Sequence, residues 1–218
     1  MPLAIFDLDN TLLKGDSDHA WGEFLVEKEL VDPITFKEAN DRFFSQYQNG
    51  TLDIGEFLSF ALKALAQFSP DNLRELHDEF MKTKVKKMIL PNAIKLVELH
   101  RKRGDTLMII TATNRFVTGP IADYFKIDTL LASEPEVVNG HYTGKLIGVP
   151  CYREGKIENL HAWLSKNPDV NLEGSYFYSD SHNDIPLLNL VTSPVAVDPD
   201  EQLIAHAEKN NWPIISLR

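Results

Sequence analysis

Two acids stand two residues apart, Asp7 and Asp9, at the end of an apolar run from Leu3 to Phe6, and Asn10 and Thr11 follow them. Like charges this close push one carboxylate towards protonation unless a cation lies beside them. The pair therefore suits a divalent metal, or a nucleophile working next to an acid/base. Further along the chain, Thr111 ends the apolar run Thr106–Ile110, Asp180 follows Tyr176-Phe-Tyr178 and Ser179, and Asp184 lies four residues beyond Asp180. Lys156 opens an amphipathic stretch that runs to Leu164. Carboxylates for a metal, a hydroxyl and one ammonium make a complete chemical set, provided the fold brings them together.

The elements around them supply the means. Leu3–Phe6, Thr106–Ile110 and Tyr176–Tyr178 read as buried strands, with Ile127–Leu131, Val195–Val197 and Ile214-Ile215 as further candidates. Asn139-Gly140 between Val137-Val138 and Tyr142 predicts a hairpin whose second arm reaches Ile147. Helices are expected from Pro91 to Arg103-Gly104, from Lys156 to Leu164 and over Leu187–Leu190. Alternating strands and helices argue for an α/β fold, a mainly parallel sheet covered on both faces. In such a sheet ligands sit at the carboxyl ends of the strands, so three polar strand ends can converge on one crevice.

Between the first and second strands the pattern is helical throughout. Ser17 is placed to cap a helix carrying Ala20, Trp21, Phe24 and Leu25, and Pro33 breaks the periodicity beyond it. Phe36, Ala39, Phe43 and Tyr47 recur at helical spacing up to Gly50, Asp53 and Glu56 form a capping box, and Ser69-Pro70 opens another helix. The division this suggests is a catalytic core of residues 1–15 and 88–218 with an all-helical unit of residues 16–87 inserted in it.

Composition narrows the function. The 218 residues are 43% hydrophobic, enough for one sizeable core. A formal net charge of -10 disfavours nucleic acid and anionic membranes as partners, and a negatively charged substrate needs a local positive site. Cys151 is the single cysteine, which excludes an intrachain disulfide and fits a reducing, cytoplasmic setting. No apolar run approaches the ~20 residues that span a bilayer. Oligomeric state is not legible.

The motifs together resemble the haloacid dehalogenase superfamily of phosphatases. Asp7-Leu-Asp9-Asn-Thr11 looks like its first motif, Ile109-Ile-Thr111 its second, Lys156 its third and Asp180-Ser-His-Asn-Asp184 its fourth, in the right order. The helical unit is similar to the superfamily's C1 cap, and the chain as a whole to subfamily IB, the phosphoserine phosphatase branch. Within that branch, Gly15-Asp16-Ser-Asp18 and Gly148–Lys156 look like a bacterial set that includes histidinol-phosphate phosphatases. The resemblance implies a Rossmann-like three-layer α/β/α core. It also implies hydrolysis of a small phosphorylated metabolite through an aspartyl phosphate on Asp7, with Asp9 as acid and then base. Mg²⁺ is the implied metal, held by the Asp7 carboxylate, the Asp9 backbone carbonyl and Asp180, with Asp184 and Asn183 around it. Asp184 would hold a metal water or orient Lys156. Thr111, Ala112 and Lys156 would bind the phosphoryl group, and Asp16 and Asp18 the rest of the substrate.

In phosphoserine phosphatases an acid just after the first motif faces the substrate amine, and Asp16 falls there. The cap arginine that grips the substrate carboxylate is replaced by Ser59, which leaves a carboxylate without a bidentate partner. A phosphomonoester with a cation and no carboxylate, such as histidinol phosphate, suits these residues better. Phosphoserine phosphatase is the alternative, as is a phosphotransferase that passes the phosphoryl group to an alcohol. Taken singly, each residue has a plainer reading. Thr111 is a favoured strand residue, Lys156 a solvated helix lysine, Asp180 and Asp184 helix caps, the cap aromatics core packing, and Cys151 a small buried side chain. The histidines lack HExxH spacing, and Gly140–Lys145 fails as a phosphate loop because Leu146 stands where Ser or Thr is needed.

Overall fold

Strand β1 (Leu3–Phe6) is wholly buried, and its alternate residues face opposite sides of the sheet, as the period of a strand requires. Leu3 and Ile5 join Met108, Phe177, Leu160 and Leu203 on one side, while Ala4 and Phe6 join Ile109, Val97, Val117 and Ile121 on the other. A computed structural model describes residues 2–218 of the chain. After β1 come helices α1 (Ser17–Glu27), α2 (Thr35–Gln48), α3 (Ile54–Leu65) and α4 (Pro70–Phe80), a π-helical turn (Met81–Val85) and the short α5 (Lys86–Met88). The core resumes with α6 (Pro91–Arg103), β2 (Thr106–Asn114), α7 (Arg115–Phe125), β3 (Thr129–Val138), β4 (His141–Ile147), α8 (Glu154–Leu164) and β5 (Tyr176–Ser179). It ends with a 3₁₀ turn (His182–Asp184), α9 (Ile185–Leu188), β6 (Ser193–Val197), α10 (Glu201–Asn210) and β7 (Ile214–Ile215).

The seven strands run in the order β4-β3-β2-β1-β5-β6-β7, parallel except for the β3–β4 hairpin. Helices α6 and α7 cover one face, and α8, α9 and α10 the other, which makes the expected α/β/α layers. β1 lies at the centre between β2 and β5. The chain leaves β1 towards β2 on one side and returns to β5 on the other, so the crevice at their carboxyl ends is the switch point where such sheets bind ligands.

The helical insertion is tied to the core in two ways. Its incoming and outgoing chains run antiparallel, with Lys14 N donating to Met88 O at 2.6 Å and Leu90 N to Leu12 O at 3.4 Å. Its apolar residues Trp21, Phe24, Leu62 and Phe80 also belong to the same continuous cluster as Phe6 and Val117. Among the described residues no helix is long and apolar enough to cross a membrane.

Several expectations need correction. Asp16, not Ser17, caps α1, because its carboxylate accepts from Asp18 N and His19 N. Asp53 caps α3 as expected, but Glu56 does not close the box and pairs with Arg42 instead. The second strand continues past Ile110 to Asn114, and the third starts at Thr129 and runs to Val138. Helices α7 and α10 come in addition to the expected elements. Asn114 caps α7 by accepting from Val117 N, and the helix carries Pro120 inside it.

Candidate active site

The carboxyl ends of β1, β2 and β5 do converge. Asp7 is 2% exposed, and its Oδ1 accepts from Lys156 Nζ at 2.8 Å. The same ammonium lies 2.7 and 2.8 Å from the two oxygens of Asp184, whose Oδ2 also accepts from Ser179 Oγ. Asp184 is thus committed to orienting Lys156 and makes no helix cap, nor does Asp180, since Ser181 accepts from Asn183 N in that position. Burial works to lower the lysine's pKa, but Asp184 and Asp7 outweigh it and hold the ammonium above its usual range. Burial pushes the Asp7 carboxyl up to about 7 despite Lys156, with Asp184 adding to the effect. Asp180 is raised well above the carboxylate range by burial and then by Asp7 and Asp184.

Thr11 stands between the two carboxylates that lack this ammonium on their near sides. Its hydroxyl is 3.1 Å from Asp180 Oδ1 and 3.4 Å from Asp7 Oδ2, and one hydrogen can serve only one of them at a time. Among the described residues no three His, Cys, Asp or Glu side chains form a ready-made metal-ligand group. That leaves a pair of hard carboxylate oxygens, Asp7 Oδ2 and Asp180 Oδ1, on two carboxyls raised in pKa first by burial, with Thr11 as the only donor between them among the described residues. Such donor chemistry fits Mg²⁺, which takes one or two carboxylates and keeps several waters.

Asp9 is held differently. Ser17 N donates to its Oδ1 at 2.6 Å and Thr113 Oγ1 to its Oδ2 at 2.8 Å. Burial, then Asp16, pushes its carboxyl up to about 7, against the hydrogen bonds from Ser17 and Thr113. A cavity opens over Asp7 and Asp9 with Thr111 and Ala112 on one wall and Asp16 and Asp18 on another. Asp18 accepts from Asn114 Nδ2 at 3.1 Å, and burial followed by Asp16 raises its pKa strongly. The insertion closes the cavity with Phe43, Phe44, Tyr47 and Phe57. Neither Ser59 nor any lysine or arginine lines it, and its one basic side chain, His19, is paired with Asp41 at 2.9 Å.

The side chain of Asn183, an expected metal neighbour, is taken up by other partners. Its Oδ1 accepts from Tyr152 Oη and Arg153 Nε, and its Nδ2 donates to Ser181 Oγ and to Tyr47 O in the insertion, so both ends of the amide are filled. Arg153 Nη2 reaches Gly50 O at 2.6 Å. These two residues clasp the α2–α3 turn onto the core. Cys151 is fully buried and its thiol is pushed up to about 12 by burial, which makes it inert.

Sequence reasoning places Thr11 in the first motif and Ser17 at a helix start without giving either a bond to the site's carboxylates, and it misses Thr113, Asn114 and the clasp. A signal for Thr113 existed: Thr111 and Thr113 repeat on β2 the two-residue spacing of Asp7 and Asp9 beside β1. The clasp had none, because its partners are backbone carbonyls.

Comparison with known proteins agrees with this geometry. The haloacid dehalogenase-like hydrolase family matches residues 4–189. A histidinol-phosphatase of Neisseria meningitidis is 43% identical over 99% of both chains. A phosphoserine phosphatase of Mycobacterium tuberculosis is 29% identical over 99% of this chain and 70% of its own. A crystal structure of a Bordetella pertussis protein of unknown function superposes with a TM-score of 0.93 at 40% identity, covering 100% of this chain and 99% of that one. A substrate-bound phosphoserine phosphatase superposes with a TM-score of 0.72 at 17% identity, over 100% of this chain and 93% of that one, which speaks for the fold alone.

Proposed function

The chain belongs to the haloacid dehalogenase-like hydrolases and is a phosphatase of that family, and we propose that its substrate is histidinol phosphate, hydrolysed through an aspartyl phosphate on Asp7. The observation that carries the substrate is the cavity wall. It offers Asp16 and Asp18 to a cation and Phe43, Phe44, Tyr47 and Phe57 to a ring, with no lysine or arginine for a carboxylate. Histidinol phosphate has an ammonium, an imidazole and no carboxylate, and phosphoserine has the carboxylate this cavity does not serve. The 43% identical relative named as a histidinol-phosphatase supports the same reading.

In the first step an Asp7 oxygen attacks phosphorus, the bond from phosphorus to the alcohol oxygen breaks, and Asp9 gives that oxygen its proton. In the second, water attacks the aspartyl phosphate, Asp9 takes its proton, and phosphate leaves with Asp7 restored. A carboxyl pushed up to about 7 suits both roles at neutral pH. Lys156, oriented by Asp184, keeps Asp7 in place, and with Thr111 it would bind the phosphoryl oxygens. Mg²⁺ held by Asp7, the Asp9 carbonyl and Asp180 would supply the positive charge that the phosphoryl group needs. The helical unit of residues 16–87 acts as the cap over this chemistry.

The test is kcat/KM on histidinol phosphate, phosphoserine and phosphoethanolamine with Mg²⁺ and with chelator. Histidinol phosphate is expected to lead phosphoserine by about tenfold or more, the effect of one unpaired buried charge. A preference for phosphoserine overturns the substrate assignment, and a rate indifferent to chelation overturns the metal. Adding an acceptor alcohol and finding its phosphate ester among the products would identify a phosphotransferase instead.

A further inference from the structure

We propose that Thr113 is a positioning residue for Asp9, fixing the plane of the acid/base carboxyl and supporting the charge it gains on giving up its proton. The inference rests on the reading of Asp9 as acid/base and goes beyond it by naming the group that aims it. Asp9 is gripped at both oxygens by donors from two different elements: Ser17 N at 2.6 Å, from the first residue of α1, and Thr113 Oγ1 at 2.8 Å, from β2. Two donors on two oxygens stop rotation about the Cβ–Cγ bond, which one donor alone does not.

The choice of residue is informative. Thr113 is 5% exposed, and among the described residues its hydroxyl has no partner besides Asp9. Its backbone N–H is engaged by Thr111 Oγ1 at 3.3 Å, which ties the aiming residue to the expected phosphoryl-binding one. A hydroxyl donating to Oδ2 stabilises the ionised carboxylate more than the neutral acid, so its contribution grows as the proton passes to the leaving oxygen. An interaction stronger in the transition state than in the ground state is one that accelerates the step. Oδ2 keeps a second lone pair for the transferred proton, so donation from Thr113 does not block it.

The experiment separates aiming from scaffolding by the leaving group. Phosphorylation of Asp7 by p-nitrophenyl phosphate needs little help from an acid, because nitrophenolate leaves unprotonated, whereas an alkyl ester needs a proton. Thr113→Val is expected to lower kcat/KM by about tenfold or more on the alkyl phosphomonoester that the wild type turns over, and by less than about threefold on p-nitrophenyl phosphate. Thr113→Ser keeps the hydroxyl and should restore the alkyl rate to within about threefold. Adding Thr113→Val to Asp9→Asn should cost nothing further on the alkyl ester. If thermal melting shows Thr113→Val to be poorly folded, Thr113→Ala makes the same comparison. Equal losses on both esters, no loss on either, or a full further loss on top of Asp9→Asn would each overturn the proposal. Because the comparison uses any alkyl ester the wild type accepts, it survives a wrong substrate. Undiminished activity of Asp7→Asn would instead sink the reading beneath it.

Discussion

Asp7 and Asp184 share one buried ammonium, so removing the cation and removing an acid have different consequences. Lys156→Ala leaves two buried carboxylates facing each other, and losing one partner of such a pair is expected to cost about 3–5 kcal/mol of stability, read as a lower denaturation midpoint. Asp7→Asn removes a group whose burial already raises its pKa, and Lys156 keeps Asp184. That variant should melt within about 4 °C of the wild type, a shift equivalent to ~1 kcal/mol or so. Its phosphatase activity should nevertheless fall by at least about a thousandfold, since the nucleophile is gone. A dead but folded Asp7→Asn beside a destabilised Lys156→Ala would assign Asp7 to chemistry and Lys156 to both chemistry and electrostatic balance. Equal melting temperatures for the two would contradict the charge accounting.

The α2–α3 turn is the element through which the cap meets the chemistry. Gly50 has φ +67°, and a Cβ there would come within 2.6 Å of His182 Nε2 and 3.1 Å of Arg153 Nη2. Gly140, in the β3–β4 hairpin, has φ +81° with nothing near it. Alanine at either position bears the same left-handed strain of about 1 kcal/mol, and only Gly50→Ala must also displace the His182 ring, which Asp200 holds, and the Arg153 guanidinium that clasps the turn. KM should therefore rise by roughly threefold to tenfold in Gly50→Ala and stay near wild type in Gly140→Ala. Amide exchange over residues 47–53 should quicken in the first variant alone. Much of the element layout is legible beforehand, because burial on both faces writes β1, β2 and β5 as apolar runs and polar residues mark their ends. The clasp is not, since Arg153 and Asn183 reach backbone carbonyls that have no sequence signature. The family resemblance makes Asp16 a substrate contact and residue type makes Ser17 the cap, and the structure makes Asp16 the cap while still exposing it to the cavity. A pattern of residue types could not separate two roles held by one carboxylate.

Across the whole molecule, acids outnumber bases by ten, and six carboxylates around the site meet a single ammonium. Asp7 and Asp9 are pushed up to about 7 from an ordinary 3.8, first by burial. Between those values the folded protein keeps protons that the unfolded chain has released, so the unfolded state binds fewer. Stability of the metal-free protein from these groups is then greatest below about pH 4 and is lost as pH rises to about 7. His77, whose pKa is lowered by burial, works the other way as pH approaches its ordinary 6.5 from below. Asp32 and Asp41 have lowered values and act only at more acid pH. The difference between melting with Mg²⁺ and melting with chelator cancels these background groups, because only the site's carboxylates meet the ion. That difference should be near zero at pH 5, where the ion must displace protons, and grow to several degrees, about 5 °C, at pH 7.5 with millimolar Mg²⁺. Asp180→Asn should flatten it at every pH. A gain that is the same at pH 5 and pH 7.5 would mean that the ion binds elsewhere, and that the crowding of carboxylates at the strand ends is relieved by some other means.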